Sequence, residues 1–341
     1  MASPDQASDA GSENGPLVYL FNGDADGMIS QHILEMALGT PHLRITGLKR
    51  EVQLLHKLPA LAAARIHVFD ISMRRNQNEL PAILAGENIH VTWYDHHDPG
   101  EIAEHPRLTT HIQQAPGTCT AVIVHGLYER AYPLWAAMAA FGDNLPATAE
   151  ALTTDAGISA AETALLRKTG VLLNYNAYGE NPGDVRFLPA HLARHMSSFS
   201  SALDFCRDES IFGPLGDQFA SDQARCEGLE ALLDLPSARA LLIPNVDWAR
   251  RFAATWANQR ILANPSQALA MIQPRTDGTF LVSIRAPHRP DGPAFSAADL
   301  AAEFPTGGGR KLAAGINVLP ANDVKRFVER FGKFFEEVLG G

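Results

Sequence analysis

Ile89-His90-Val91-Thr92-Trp93-Tyr94 runs straight into Asp95-His96-His97, and this stretch decides the fold. A β-rich apolar run that ends in a carboxylate and two imidazoles delivers three polar groups to the end of a buried strand. In open α/β sheets that edge is where ligands bind. Working outward, the pattern occurs twice more upstream. Leu17-Val18-Tyr19-Leu20-Phe21 leads into Asn22-Gly23-Asp24-Ala25-Asp26-Gly27, and Ile66-His67-Val68-Phe69 leads into Asp70-Ile71-Ser72. Three apolar strands, each ending in acid or acid plus His, predict one polynuclear metal site.

Amphipathic helices are expected between these strands, over about 28–38, 52–64 and 76–85, with a further strand near 43–48. Such alternation predicts an α/β fold, a mostly parallel sheet with helices on both faces. Downstream, helices are expected over about 121–131, 133–141 and 160–173. The pattern weakens from Asn174 to about Leu215, where Gly179, Pro182, Gly183 and Pro189 interrupt it. A bridging helix over 217–234 then leads to a second, smaller α/β unit. Its expected parts are strands near 240–243, 268–273, 279–285 and 314–318, helices near 247–262, 297–303 and 323–338, and a glycine-rich loop at 307–309. The division is therefore a disordered tail at 1–15, a first domain at 16–175, a connector at 176–235 and a second domain at 236–341.

Composition limits the function. The 341 residues suffice for two domains with proper cores. No apolar run approaches membrane-spanning length, so no membrane partner is expected. The first fifteen residues lack both a basic start and an apolar stretch, unlike a signal peptide. The 3 cysteines, Cys119, Cys206 and Cys226, are odd in number and widely spaced, which suits a reducing cytoplasm better than a disulfide framework. A net charge of −10 argues against a large non-specific nucleic-acid surface. That charge is uneven: about +4 from Ser237 onward and −14 before it. An acidic front half fits a cation site and a basic rear fits an anionic substrate, although solvated surface charge also scatters this widely.

Asp24 and Asp26 lie two apart after a strand, so a tight turn permitted by Gly23 and Gly27 points both carboxylates into one cavity. Asp70 and His96 arrive from the ends of other strands. Mn²⁺ and Mg²⁺ favour such oxygen ligands with some imidazole. Two such ions about 4 Å apart clamp an in-line displacement at phosphorus.

These segments resemble the motifs of the DHH phosphoesterases, within them the RecJ-like branch with a C-terminal DHHA1 domain, over nearly everything after the tail. Asn22 to Gly27 looks like the first motif, Asp70-Ile71-Ser72 the second, and Asp95-His96-His97 the third. Ala139-Ala140-Phe141-Gly142-Asp143-Asn144 resembles the fourth, and Thr306 to Gly315, containing Gly307-Gly308-Gly309-Arg310, the substrate loop. The resemblance implies a phosphohydrolase with two Mn²⁺ ions, Mg²⁺ serving as an alternative, and a site in a cleft between two domains. It places Asp24 on one ion and Asp26 on the other, with Asp70 bridging and His96 and Asp143 completing the second. His97 would face the substrate phosphate or orient the attacking water. Asp95 would fix the imidazoles. Gly307, Gly308, Gly309 and Arg310, with Arg285 at a strand end, would hold the substrate.

Two positions depart from the family. Asn22 stands where it usually has His or Asp, a weaker ligand, so Asn22→His is expected to tighten Mn²⁺ binding; an unchanged metal titration would refute a ligand role. Arg310 stands where it has His, and Arg keeps its charge and binds phosphate bidentately. Asp155, in Thr153-Thr154-Asp155-Ala156-Gly157, competes with Asp143 for the fourth motif. Thr118 and Thr120 open a helix whose N–H groups could face an anion, or simply be N-capped. His191 and His195 read as a surface pair, and Phe327, Phe331, Phe334 and Phe335 as core.

The expected activity is Mn²⁺-dependent phosphodiester hydrolysis on a short oligonucleotide or related nucleotide phosphoester. The alternatives are a single-strand RecJ-like exonuclease, or a catalytically weak relative that binds nucleic acid or a repair partner. The reading leaves room for a homodimer.

Overall fold

The computed structural model describes residues 15–128, 130–287 and 296–339. Nearly all of the expected tail lies outside them. Two compact units are present: the described parts of Met1–Pro182 with Arg186–Gly213, and of Gly183–Val185 with Pro214–Gly341. The segment expected as a connector is thus shared between them, and the division falls inside a long helix.

The first unit begins β1 (Leu17–Phe21), α1 (Ala25–Leu38), β2 (Leu43–Thr46), β3 (Ala63–Phe69), α2 (Leu80–Leu84), β4 (Asn88–Asp95) and β5 (Leu108–Ile112). The strands form one sheet in the order β2-β1-β3-β4-β5, every pair parallel. Alternation sorts side chains to two faces. Val18, Ile66 and Val91 are in register on one face, as are Leu20, Val68 and Trp93, and all six are buried. Tyr19, Phe69, Tyr94 and His111 form an aromatic row on the other, with Phe69 stacked on Tyr94 at a centroid distance of 5.1 Å. Burying such rings contributes about 2 kcal/mol each. The sheet is buried on both faces, as parallel sheets are.

The helix expected over 52–64 does not form. Only a 3₁₀ turn at Leu55–Lys57 is present, and residues from Ala63 onward belong to β3. Pro59 breaks the run. The buried Asn76 side chain takes over the backbone bonds, accepting from the N–H groups of Leu54 and Leu55 and donating to Val52 O. The half-exposed β5, Leu-Thr-Thr-His-Ile, carries no apolar signal and is an addition to the expected strands.

Six helices complete this unit: α3 (Thr120–Leu127), α4 (Pro133–Gly142), α5 (Pro146–Asp155), α6 (Ala160–Ala177), α7 (Pro189–Met196) and α8 (Ala202–Cys206). Glycines let α4 and α6 approach closely. A Cβ on Gly170 would lie 2.2 Å from Met138 O, and one on Gly142 2.5 Å from the Ala25 Cβ.

The division crosses α9 (Glu209–Glu227). The second unit continues with β6 (Ala231–Asp234), β7 (Ala238–Leu242), α10 (Asp247–Ala263), β8 (Ala268–Pro274), β9 (Phe280–Arg285), α11 (Ala297–Ala302), β10 (Gly307–Arg310), β11 (Ala313–Leu319) and α12 (Val324–Leu339). Its mixed sheet runs β10-β11-β9-β8-β7-β6. The bridging helix expected to reach 234 stops at Glu227, before Gly228, and β6 follows. Phe327, Phe331 and Phe335 are fully buried in this unit's core. Among the described residues, no helix is long and apolar enough to cross a membrane.

Candidate metal centre

Because β1, β3 and β4 are adjacent and parallel, their carboxyl ends meet at one edge. Asn22 follows β1, Asp70 follows β3, and Asp95 is the last residue of β4. Asp143 joins them from the C-terminal end of α4. Asn22, Asp24, Asp70, His96, His97 and Asp143 line one cavity of about 450 Å³, with Lys49, Arg74 and Arg75.

His96 is at the centre. Its Nε2 lies 3.4 Å from Asp70 Oδ1 and 3.9 Å from both Asp26 Oδ2 and Asp143 Oδ2. Asp26, His96 and Asp143 form one grouping whose ligand atoms converge; Asp70, His96 and His97 form another. Asp155 is exposed at the end of α5 and belongs to neither grouping.

Local structure aims each acid. Asp24 caps α1, its Oδ1 accepting from the Gly27 N–H at 3.0 Å. Gly27 packs against the motif itself, since a Cβ there would sit 2.2 Å from Asn22 O. Asp26 is held by another helix. The first two N–H groups of α3, on Thr120 and Ala121, donate to Asp26 Oδ2 and Oδ1 at 2.8 Å each. The anion that this helix start faces is therefore a protein carboxylate. Asp70 adopts φ +54°, in the left-handed region that only glycine enters freely. Asp95, fully buried, accepts from the His96 N–H and pairs with His97 Nδ1, both at 2.8 Å. It thus fixes one imidazole, that of His97, whose side chain is 48% exposed. That hydrogen bond raises the His97 pKa.

The carboxylates crowd one another. Burial first, then Asp24, Asp26, Asp143 and Asp95, push the Asp70 carboxyl far above its ordinary range. Burial and Asp26 bring Asp143 up to about 7. Protons or a divalent cation would relieve this crowding, and carboxylate oxygens with imidazole suit Mn²⁺ or Mg²⁺. The donor set fits.

Asp24 is different. It belongs to neither converging grouping. Burial opposes its ionisation, but the Lys49 ammonium, 2.5 Å from Oδ2, holds its pKa below the usual value. Asn22 is likewise engaged: its Oδ1 accepts from the Asp24 N–H at 3.3 Å and its Nδ2 donates to Lys49 O at 3.2 Å. Lys49, Arg74 and Arg75 are not among the residues expected from sequence. Both arginines come just after Asp70-Ile71-Ser72, separated from it only by Met73, which is the one signal that points to them.

In the second unit, Gly307–Arg310 is an edge strand, not the expected loop. The glycines serve packing: a Cβ on Gly307 would meet Ala301 O at 1.8 Å, and Gly309 has φ +143°. Arg310 and Arg285 both register with Ala313, on the two strands flanking β11. Arg285 donates to Asn258 Oδ1 and Ser283 Oγ. His195 pairs with Asp208, 2.5 Å away.

No family model and no curated protein matches the chain. Solved structures do. A DHH-domain protein described as a member of a ribosomal-protein family superposes with a TM-score of 0.63 at 14% identity, over 95% of this chain and 87% of that one. RecJ in complex with Mn²⁺ from Thermus thermophilus gives 0.57 at 17% identity, over 95% of this chain and 52% of that one. The chain therefore spans about half the length of that RecJ. The pGpG-specific phosphodiesterase PggH from Vibrio cholerae gives 0.54 at 12% identity, over 95% and 100%. This chain has the DHH fold. The residues that meet at His96 come from the segments that follow β1 and β3 and from the end of α4.

Proposed function

We propose that this DHH-fold protein is a Mn²⁺-dependent phosphodiesterase acting on short oligonucleotides or related nucleotide phosphoesters. The observation that carries this reading is the convergence on His96 Nε2 of three carboxylates, from Asp70, Asp26 and Asp143. A divalent ion held there would activate water and neutralise charge developing on a phosphate, with Mg²⁺ an alternative occupant. Asp26, His96 and Asp143 would hold it, with Asp70 alongside. Around it, His97 lines the cavity and is oriented by Asp95; there it would donate a proton to the leaving oxygen or orient the attacking water. Arg74 and Arg75 at the cavity wall supply charge for the substrate's phosphates. Arg285, Arg310 and the strand Gly307-Gly308-Gly309 are the second unit's candidates for binding the nucleotide.

A dinucleotide substrate for PggH and a nuclease activity for RecJ support a nucleotide phosphodiester. The acidic charge of −10 supports a short substrate over a long polyanion. A single-strand exonuclease is the alternative within enzymes. Asn22 and Arg310, both departures from the family pattern, favour the reading as a weak relative that only binds nucleic acid or a repair partner.

The test is a panel of Mn²⁺-loaded assays on dinucleotides, longer single-stranded DNA and RNA, cyclic dinucleotides and pyrophosphate. The expected result is hydrolysis fastest on dinucleotides and none after chelation. Faster attack on long single strands would move the assignment to an exonuclease. Tight binding without turnover on any substrate would move it to a binding protein.

A further inference from the structure

Lys49 engages Asp24, the carboxylate that the motif resemblance assigns to one of two ions. Its ammonium donates to Asp24 Oδ2 at 2.5 Å and to Asn174 Oδ1 at 3.1 Å, and lies 5.3 Å from the Tyr178 ring centroid. A carboxylate, an amide oxygen and an aromatic face together suit a monovalent cation. Asn174 lies in the last turn of α6 and Tyr178 follows that helix directly, and a helix C-terminus favours positive charge. The backbone is fixed as well. Lys49 N donates to Ala177 O at 3.1 Å, and Lys49 O accepts from Asn22 Nδ2 at 3.2 Å.

This arrangement accounts for Asn22. An imidazole or carboxylate at position 22 would supply a metal ligand, whereas the amide supplies a donor for the Lys49 carbonyl and an acceptor for the Asp24 N–H. Asn22 and Lys49 act as a matched pair: one gives up a strong ligand, the other occupies the carboxylate that ligand would have shared. The rest of the centre keeps its donors free of lysine. Asp26, His96 and Asp143 converge without Asp24, and the other grouping, Asp70, His96 and His97, draws on the same His96 imidazole, so the two are alternatives and not a pair of sites.

We propose that the Lys49 ammonium is a built-in cation that replaces one of two divalent ions, so that the centre binds a single ion at Asp26, His96 and Asp143. The inference rests on the metal-dependent reading above and sets its stoichiometry. The ammonium meets the carboxylate of Asp24, and a second divalent ion is kept off by like charge and by occupied lone pairs.

The experiment is Mn²⁺ alone added to the full chain, read by calorimetric stoichiometry and by electron paramagnetic resonance. It compares the wild type, Lys49→Met, and Asn22→His with Lys49→Met, each checked for fold by circular dichroism. The wild type is expected to bind one Mn²⁺ with an isolated-ion spectrum. The double variant is expected to bind two, with the exchange-coupled spectrum of a close pair, and Lys49→Met to gain at least weak second-site binding. Two ions on the wild type would overturn the inference and leave the metal-dependent reading standing. One ion on the folded double variant would overturn it too, since removing the lysine would then have opened no site. No ion on any folded form would overturn both.

Discussion

At the residue scale, the centre depends on a few contacts that can be removed one at a time. Asp143 reaches within 3.9 Å of His96 Nε2, and Asp155 is exposed and belongs to neither grouping. Asp143→Ala should therefore weaken Mn²⁺ binding and abolish turnover, while Asp155→Ala leaves both intact; a calorimetric titration beside an assay checks this, and the reverse pattern would overturn the assignment of the fourth motif. Asp95 acts through His97. Asp95→Asn should lower activity about 10- to 100-fold with the ion still bound, the usual cost of losing the partner of a functional imidazole. The Asp24-x-Asp26 turn and the two imidazoles were legible because each follows an apolar run. Lys49 was not, because nothing near Leu48-Lys49-Arg50 marks a lysine for a site; only the packing of α6 brings Asn174 and Tyr178 to it.

At the scale of elements, α1 is the organiser. It begins on Asp24, carries Asp26, and packs beside α3 and α4. Gly142 and Gly170 let α4 and α6 close on it, so Gly170→Ala should cost about 1–3 kcal/mol through overpacking, visible as a lower melting temperature and as weaker Mn²⁺ binding through a displaced Asp143. At the other end of α1, the buried Glu35 pairs with Arg44 of β2 at 2.5 Å and accepts from Ser197 beside α7. Burial alone would raise its pKa, but His32, Arg44 and Ser197 outweigh it and lower it from 4.5 to about 2. A depressed carboxyl stabilises the fold fully above its unfolded pKa. That contribution is lost as pH falls from about 4.5 toward 2, and is on the order of 2 kcal/mol after allowance for solvent screening. Denaturant melts at pH 7 and pH 3 should show Glu35→Gln closer to the wild type at the lower pH. The missing helix at 52–64 and the unforeseen β5 share a cause: an Ala- and Leu-rich run looks helical until Pro59 and Asn76 redirect it, and a Thr-rich edge strand looks like a loop until β4 pairs with it.

At the scale of the whole molecule, the charge excess in the first unit sets how the ion and the fold are coupled. Several buried carboxylates that repel one another without a cation destabilise the folded state, so saturating Mn²⁺ should raise the first unit's melting temperature. At a hundred times Kd the gain is about 2.7 kcal/mol, or roughly 5 °C or more; EDTA should reverse it, and a melt indifferent to both would argue against a metal centre. The sequence by itself determined the α/β class, the parallel strands and which acids end them, because burial makes apolar runs long and places function at their carboxyl ends. It also marked Phe327, Phe331 and Phe335 as core through their helical spacing. Only the tertiary structure decided that the α3 N-terminus answers Asp26, that Gly307–Arg310 is a strand, and that Lys49 meets Asp24. The physical reason is range. Periodicity and turn chemistry are local and can be read along the chain, whereas the charge that neutralises a buried carboxylate comes from whichever distant segment the packing of helices and strands brings within hydrogen-bonding reach.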